Sequence, residues 1–496
     1  MSDLAPSDDL AGRVLGGVAW KGVSAVVLQL SRLATALILA RLLSPHDYGV
    51  AGMVLVVSGL VLIFSDLAFG AALVQRKVLT ETDRSTVFWT NAFFGLVFTC
   101  GAFFASGPVA QFYGQPAVKP LFQAFSVAFL VTSLSSTQSA LLSREMNFRS
   151  LELRQMISYA AGAVVGIVAA MRGAGAWAII LQQLSIAFVS TALLTAFSSW
   201  RPKLSFSLES LRSMGAFSGR VFATRILFYF NRNVDNLLVG RFLGSAALGA
   251  YSLAYNVMLM PFSRISSPVQ DVMFPAFSRV QDDPGRIGAG WLRVNRLVAA
   301  ITVPSLVGLV LVAPDFIRAV LGEKWSAAIP VVRILCWVGL LQSLQGLNSS
   351  ILEARDRTQD LVRYAVIVAV ASVIAFVIGL EWGIVGVAAG YAVSSTVVEP
   401  YYTWVTARSI GLPLRDVIAN FRGVFEASVA MAAAVIGVQL LLVAGAPAER
   451  LTLCIVAGAA VYLPACAWRD RALVEDLRSL GALRSKRVLA SQVDPA

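Results

Sequence analysis

LVRYAVIVAVASVIAFVIGL (361–380) is the stretch that decides the fold. As a helix rising about 1.5 Å per residue it covers roughly 30 Å, the thickness of a bilayer's hydrocarbon core. Similar runs of about 18 to 25 apolar residues recur from there in both directions. The whole chain is 57% hydrophobic and only 14% charged, where a soluble domain carries about 25% charge. One globule cannot bury so many core-length helices. The sequence therefore predicts an all-α integral membrane protein with about fourteen transmembrane helices.

The expected spans are 16–40, 48–72, 86–107, 119–142, 154–171, 175–197, 215–241, 246–277, 292–313, 326–353, 361–380, 384–407, 420–444 and 450–467. With the N-terminus in the cytoplasm, about 27 Lys and Arg fall on the cytoplasmic side and about seven on the other. The cytoplasmic set includes Arg76, Lys77, Arg84, Arg144, Arg201, Lys203 and the tail from Arg469 to Arg487. That bias predicts both termini inside. The polar start, MSDLAPSDDLAG (1–12), lacks the basic flank and cleavage site of a secretory signal, so it is expected to be retained. External loops are short, which leaves no room for a soluble catalytic domain.

Several chemistries find no support. Cys100, Cys336, Cys454 and Cys466 all lie in apolar runs without a close Cys or His partner, so disulfide and metal readings are weak. His46 is the single histidine, which disfavours a metal site or a Ser-His-Asp triad. No phosphate-binding G-x-x-x-x-G-K-[ST] run occurs. No cofactor is expected. The net charge of +12 reads as basic cytoplasmic loops rather than nucleic-acid binding.

The chain also repeats itself. ARLLSPHDYGVAG (40–52) aligns with GRFLGSAALGAYS (240–252) at an offset of 200, with Arg32 facing Arg232, Arg41 facing Arg241 and Gly49 facing Gly249. A second match, at 210, sets Pro120 against Pro330 and LVTSL (130–134) against LLQSL (340–344). Six spans separate the copies, so both enter the membrane in the same direction, as in parallel-repeat transporters. The expected organisation is a cytoplasmic segment 1–15, an N-lobe 16–197, a linker 198–214, a C-lobe 215–407, two extra spans in 420–467 and a basic tail 468–496. Two six-helix lobes would flank a central cavity.

Ionisable groups at membrane depth are costly unless they face a cavity or a partner, so each is a candidate for function. The first span carries Lys21, Gln29 and Arg32; the seventh carries Arg220, Arg225, Arg232 and Asp235 among Asn231, Asn233 and Asn236. Helical spacing puts Arg225, Arg232 and Asn236 on one stripe. Arg264 and Asp271 lie in the eighth span, Asp66 in the second and Glu399 in the twelfth. Arg232 and Asp235, three residues apart, either neutralise each other or face a cavity. Lys21, Arg220 and Arg333 sit near span ends and are expected to snorkel. Guanidinium groups fork onto phosphate oxygens, so a pyrophosphate head group would suit Arg32, Arg225, Arg232 and Arg264, with Gln29 and Asn236 beside them. Asp66, Asp235, Asp271 and Glu399 are the candidates for coupling to an ion. Pro261, Pro268 and Pro275 recur every seven residues along the eighth span, either as a hinge or as prolines that membrane helices tolerate routinely.

These motifs resemble a known family. LARLLSPHDYGVAGM (39–53), SDLAFGAALVQRK (65–77), NVDNLLVGRFLGSAALGAYSLAYNVMLMP (233–261), FPAFSRVQDDP (274–284) and LGEKW (321–325) are similar to the bacterial polysaccharide-transporter branch of the MOP flippase superfamily. The resemblance runs from about residue 12 to about residue 425. It implies fourteen helices in two lobes and export of sugar units, usually carried on undecaprenyl diphosphate, across the bacterial inner membrane by alternating access. It implies a transporter rather than an enzyme, serving exopolysaccharide, O-antigen or capsule synthesis. Its partners would be the lipid-linked oligosaccharide and membrane lipids, with a polymerase and chain-length machinery beside it. The rivals are a multidrug or cation antiporter of the same superfamily, a membrane-embedded glycosyltransferase or polymerase, and a non-transporting scaffold. The first calls for a cavity dominated by acidic residues and the second for clustered loop carboxylates; neither pattern is present in the sequence.

Overall fold

The computed structural model describes residues 28–66, 69–76, 78–261, 266–442 and 445–476. All regular structure among them is helical, because only a helix satisfies its own amides inside a bilayer without a neighbouring strand. The first repeat contains α1 (28–42), α2 (Pro45–Asp66), α3 (Phe69–Gln75), α4 (Glu81–Tyr113), α5 (Val118–Arg144), α6 (Phe148–Met171) and α7 (Trp177–Phe197). The second contains α8 (Leu208–Leu243), α9 (Ser245–Pro261), α10 (Ser267–Ser278), α11 (Pro284–Phe316), α12 (Ala328–Leu344), α13 (Asn348–Ala354), α14 (Thr358–Gly379) and α15 (Gly383–Ser409). Then follow α16 (Leu414–Ala419), α17 (Arg422–Leu441) and α18 (Pro447–Arg469).

Ten helical stretches among the described residues are long and apolar enough to cross a membrane. One of them, Thr358–Ser409, folds back at Gly383 into α14 and α15, so the ten cover eleven of the expected spans, the second (48–72) only in part because its end belongs to the separate helix α3. α8 is 36 residues long but interrupted by charge. The expected eighth span is two helices: α9 ends at Pro261, and α10 starts with Pro268 in its first turn. Proline has no amide hydrogen to continue a helix and suits a helix start. Of the first span only residues from 28 onward are described.

Local chemistry sets the ends. Thr80 and Asp83 form a reciprocal capping box at the start of α4. Asn147, Ser207 and Asp283 cap α6, α8 and α11 through their side chains.

The repeat is written in the backbone. α4 and α11 are both 33 residues long. Val118–Arg144 maps onto Ala328–Ala354 at the offset of 210, with the second copy broken at Gln345 into α12 and α13. Met146 and Asp356 are the non-glycine residues with positive φ among those described, each at 55°, and they too are 210 apart. Gly173 (φ 75°) and Gly383 (φ 67°) repeat the relationship one turn later. Such values are uncommon outside glycine, so their recurrence marks equivalent turns rather than a general likeness of apolar helices.

The contacts divide the chain into two compact units, Met1–Gly249 and Ala250–Ala496. α8 belongs to the first unit, where it packs against α2, α3 and α4. The first helix of the second repeat thus lies among the helices of the first.

In the second unit α17 and α18 dock onto α11. Val312, Ala427, Met431, Val435, Cys454 and Tyr462 form the buried apolar contact. Polar bonds at α11's prolines complete it. Pro304 has no N–H for the Ala300 carbonyl, and the Tyr462 hydroxyl donates to that oxygen at 2.6 Å. Pro314 likewise frees the Val310 carbonyl, which accepts from Arg333 Nε at 3.2 Å. Arg333 therefore caps a broken helix ladder, more than the snorkelling its position suggests. Gln439 donates to the Leu311 carbonyl, and Arg450 pairs with buried Asp315.

Candidate functional site

α8, which covers the expected seventh span, carries a dense set of polar groups, Arg225, Asn231, Arg232, Asn233, Asp235 and Asn236. Arg225 and Arg232 are exposed on it, and Asn236 is half-buried. Tyr229 stands between the two arginines, four residues after one and three before the other, which completes a single stripe 225–229–232–236. Reading charges alone misses this tyrosine; the 4–3 spacing was the signal that could have found it. Its hydroxyl donates to the Val56 carbonyl of α2.

Asp235 turns off that stripe and is buried, 3% exposed. Its Oδ1 accepts the backbone N–H of Asn236 at 2.7 Å. Among the described residues Arg232 makes no ion pair with Asp235, so the i,i+3 neutralisation open to the pair is not adopted. The two side chains diverge because one points out of the helix packing and the other into it.

On α1, Arg32 is half-buried with its guanidinium over the Tyr159 ring of α6, 5.4 Å from the centroid. That is cation–π geometry. Tyr159 in turn hydrogen-bonds Thr35 and Gln182, so the platform under Arg32 is fixed from α1 and α7. Gln29 lies three residues earlier. Its Nε2 is buried and finds no partner among the described residues, a donor that a ligand or water would satisfy.

Glu399 belongs to the second unit. It is 6% exposed and accepts the Tyr364 hydroxyl at 2.7 Å. The Tyr364 and Tyr402 rings stack beside it, 3.7 Å apart and nearly parallel, and Gln345, at the break between α12 and α13, also bonds to it. Among the described residues no Lys or Arg pairs with it. The carboxylate is held by neutral donors.

Other expected positions are less informative. Asp66 and Asp271 lie in helices but their side chains are not among those described, and Arg264 and Lys21 fall outside the described residues altogether. Pro261 ends α9, Pro268 opens α10 and Pro275 lies inside it. Among the described residues no three His, Cys, Asp or Glu gather as a metal site.

Arg225, Arg232 and Arg32 carry fork-shaped donors, and Asp235, on the same helix as Arg225 and Arg232, is buried.

A family model described as "Polysaccharide biosynthesis protein" matches residues 38–330. The lipopolysaccharide biosynthesis protein WzxC of Escherichia coli (strain K12) is 30% identical over 385 residues, 77% of this chain and 78% of that one. The succinoglycan biosynthesis transport protein ExoT of Rhizobium meliloti (strain 1021) is 27% identical over 487 residues, covering 96% and 97%. Among solved structures, the lipid II flippase MurJ in an inward closed conformation superposes with a TM-score of 0.76 at 16% identity, over 91% of this chain and 99% of that one. At that identity the likeness is one of fold.

Proposed function

This chain belongs to the polysaccharide biosynthesis protein family, the polysaccharide-transporter branch of the MOP superfamily that its motifs resemble, and from that premise we propose that it is a flippase for a lipid-linked oligosaccharide. It is a multi-pass membrane transporter, not an enzyme. Its setting is the bacterial inner membrane, with both termini cytoplasmic by the distribution of Lys and Arg.

The observation that carries this reading is the exposed arginine stripe on α8. A cation carrier would be expected to line its path with carboxylates, and Asp235 is turned away. The substrate head is a sugar on a diphosphate, most simply undecaprenyl diphosphate. Arg225 and Arg232 receive the phosphate oxygens, with Asn236 beside them; Arg32 on its Tyr159 platform and Gln29 supply a second set of donors. The prenyl tail stays in lipid.

Transport follows alternating access between two repeats about a central path. α8 starts the second repeat yet packs on α2 of the first, so this seam is where the repeats part when the path opens at the Gly49 end. Pro261, Pro268 and Pro275, around the break between α9 and α10, absorb the bend. An inside-negative potential favours export of an anion by about 2.3 kcal/mol per charge per 100 mV. Asp235 and Glu399 are the buried groups suited to couple an ion to the cycle, with Asp66 and Asp271 as further candidates. A polymerase and chain-length machinery are the expected neighbours.

The test is the double substitution Arg225→Gln, Arg232→Gln. Polymer export should be lost while protein level and membrane insertion are unchanged. Normal export from the double variant overturns the reading.

A further inference from the structure

α2 and α8 run antiparallel along a seam lined by small residues. At one end Gly49 meets Ser245 and Gly249, and a Cβ added to Gly52 would come 3.5 Å from Cδ2 of Leu248. Ten residues further along α2, about 15 Å, Gly59 opens a notch that Tyr229 of α8 fills. A Cβ on Gly59 would come 2.8 Å from Cε2 and 2.9 Å from Cζ of that ring, so a larger residue there pushes the ring out of the notch. The tyrosine hydroxyl donates to the Val56 carbonyl, one turn back on α2.

We propose that Tyr229 is a positioning residue that latches the arginine stripe to the α2–α8 seam, so that the seam opens only when its ring leaves the Gly59 notch. Tyr229 shares one helix stripe with Arg225 and Arg232, and rotation or withdrawal of α8 that moves those guanidiniums moves the ring with them. The latch is built to release. The Val56 carbonyl lies inside α2 and keeps its own helix bond when the tyrosine leaves. Nothing buried is stranded by opening except the phenol, which can find water or a sugar hydroxyl. An anion drawn onto both arginines therefore acts on the seam through the residue between them. That last link rests on the flippase reading above; the latch itself does not.

Leu248 reports the state of the seam, since it is fully covered between Gly52 and Gly240. The experiment uses the full chain in membrane vesicles, with Cys100, Cys336, Cys454 and Cys466 replaced by alanine and Leu248→Cys added. Labelling by a membrane-impermeant maleimide is the readout. Gly59→Ala and Tyr229→Ala should each raise labelling several-fold, whereas Tyr229→Phe, which keeps the ring in the notch, should leave it low. Gly59→Ala combined with Tyr229→Leu restores the fit and should return labelling toward the starting value, a rescue that generalised unfolding would not produce. Unchanged labelling in both single alanine variants, or no rescue in the combination, overturns the latch. Addition of undecaprenyl diphosphate should raise labelling in the Tyr229 chain and not in its Arg225→Gln, Arg232→Gln form. Failure of that arm alone removes the link to the anion. Failure of the first arms leaves the flippase reading to its own export test.

Discussion

Gly49 and Gly249, 200 residues apart and equivalent in the internal repeat, lie against each other where α2 and α9 begin. A Cβ added to Gly49 would come 3.0 Å from the Gly249 nitrogen, and one added to Gly249 would come 3.1 Å from the Gly49 nitrogen. Each would also collide with a carbonyl of the opposite turn, Ser245 for Gly49 and Pro45 for Gly249. Pro45 and Ser245 are themselves 200 apart. The contact is reciprocal: two copies of one turn meet about a local twofold relationship. Ser245 adds a polar tie, its hydroxyl bonded to His46 Nδ1 at 2.7 Å and accepting from Gln115 at 3.0 Å.

Because the obstructing atoms are backbone, no rotamer change relieves a side chain there. Gly49→Val and Gly249→Val should each destabilise the protein by about 1–3 kcal/mol, the usual cost of overpacking. Thermal unfolding in detergent measures this. A melting temperature unchanged in both variants would show that the turns do not meet as described.

Tyr462 and Pro304 make a second prediction that separates packing from hydrogen bonding. Tyr462→Phe leaves the Ala300 carbonyl without a donor and should cost about 1–3 kcal/mol. Pro304→Ala returns an N–H to that carbonyl, so Tyr462→Phe in the Pro304→Ala background should cost much less. Equal costs in the two backgrounds would mean that the bond to Ala300 contributes nothing.

Asp315 and Arg450 tie α18 to α11 with the carboxylate buried at 3% side-chain exposure. Arg450→Met strands that charge and should destabilise by about 3–5 kcal/mol. Replacing both, Asp315→Leu with Arg450→Met, should recover most of the loss. The comparison is made by chemical denaturation of the purified protein, and additive losses would argue against a direct pair.

Glu399 has neutral donors and, among the described residues, no basic partner. A bare carboxylate within a membrane-spanning helix is expensive, which makes Glu399 the candidate we would test first for coupling export to an ion. Glu399→Gln keeps the shape and can still accept from Tyr364. The variant should fold normally and should export in a way that no longer responds to collapse of the proton or sodium gradient. Wild-type sensitivity to both gradients in a folded Glu399→Gln protein excludes it as the coupling group.

Arg32 depends on its platform. Tyr159→Ala removes the ring under the guanidinium, and Tyr159→Phe keeps the ring but loses the bonds to Thr35 and Gln182. Cation–π contacts are worth about 0.5–2 kcal/mol, so export in Tyr159→Ala should fall several-fold, with Tyr159→Phe intermediate. The initial rate of lipid flipping in proteoliposomes is the measurement; full activity in Tyr159→Ala would remove Arg32's orientation from the mechanism.

Much of this molecule is legible without coordinates, and the reason is the bilayer. A segment such as 361–380 has one way to satisfy its backbone in lipid, so hydropathy alone predicts a helix there, and α14 occupies Thr358–Gly379. The offset that pairs Gly49 with Gly249 was visible in identities across two helix turns. The candidate arginines were visible because a charge inside an apolar run has no cheap explanation. Helix breaks were less legible. Nothing in LLQSLQGLNSSILEA (340–354) marks an interruption as clearly as proline does, yet α12 stops at Leu344 and α13 resumes at Asn348.

Sequence by itself determined the class of fold, the internal repeat and the positions where charge enters the membrane, since each follows from one residue's preference for water or lipid. Only tertiary structure decided how those positions are used. It set Tyr229 in the notch of Gly59, supplied Tyr462 and Arg333 to the carbonyls that Pro304 and Pro314 release, and turned Asp235 away from Arg232. Those outcomes depend on the partner each side chain meets, and spacing along one helix carries no record of what lies across from it.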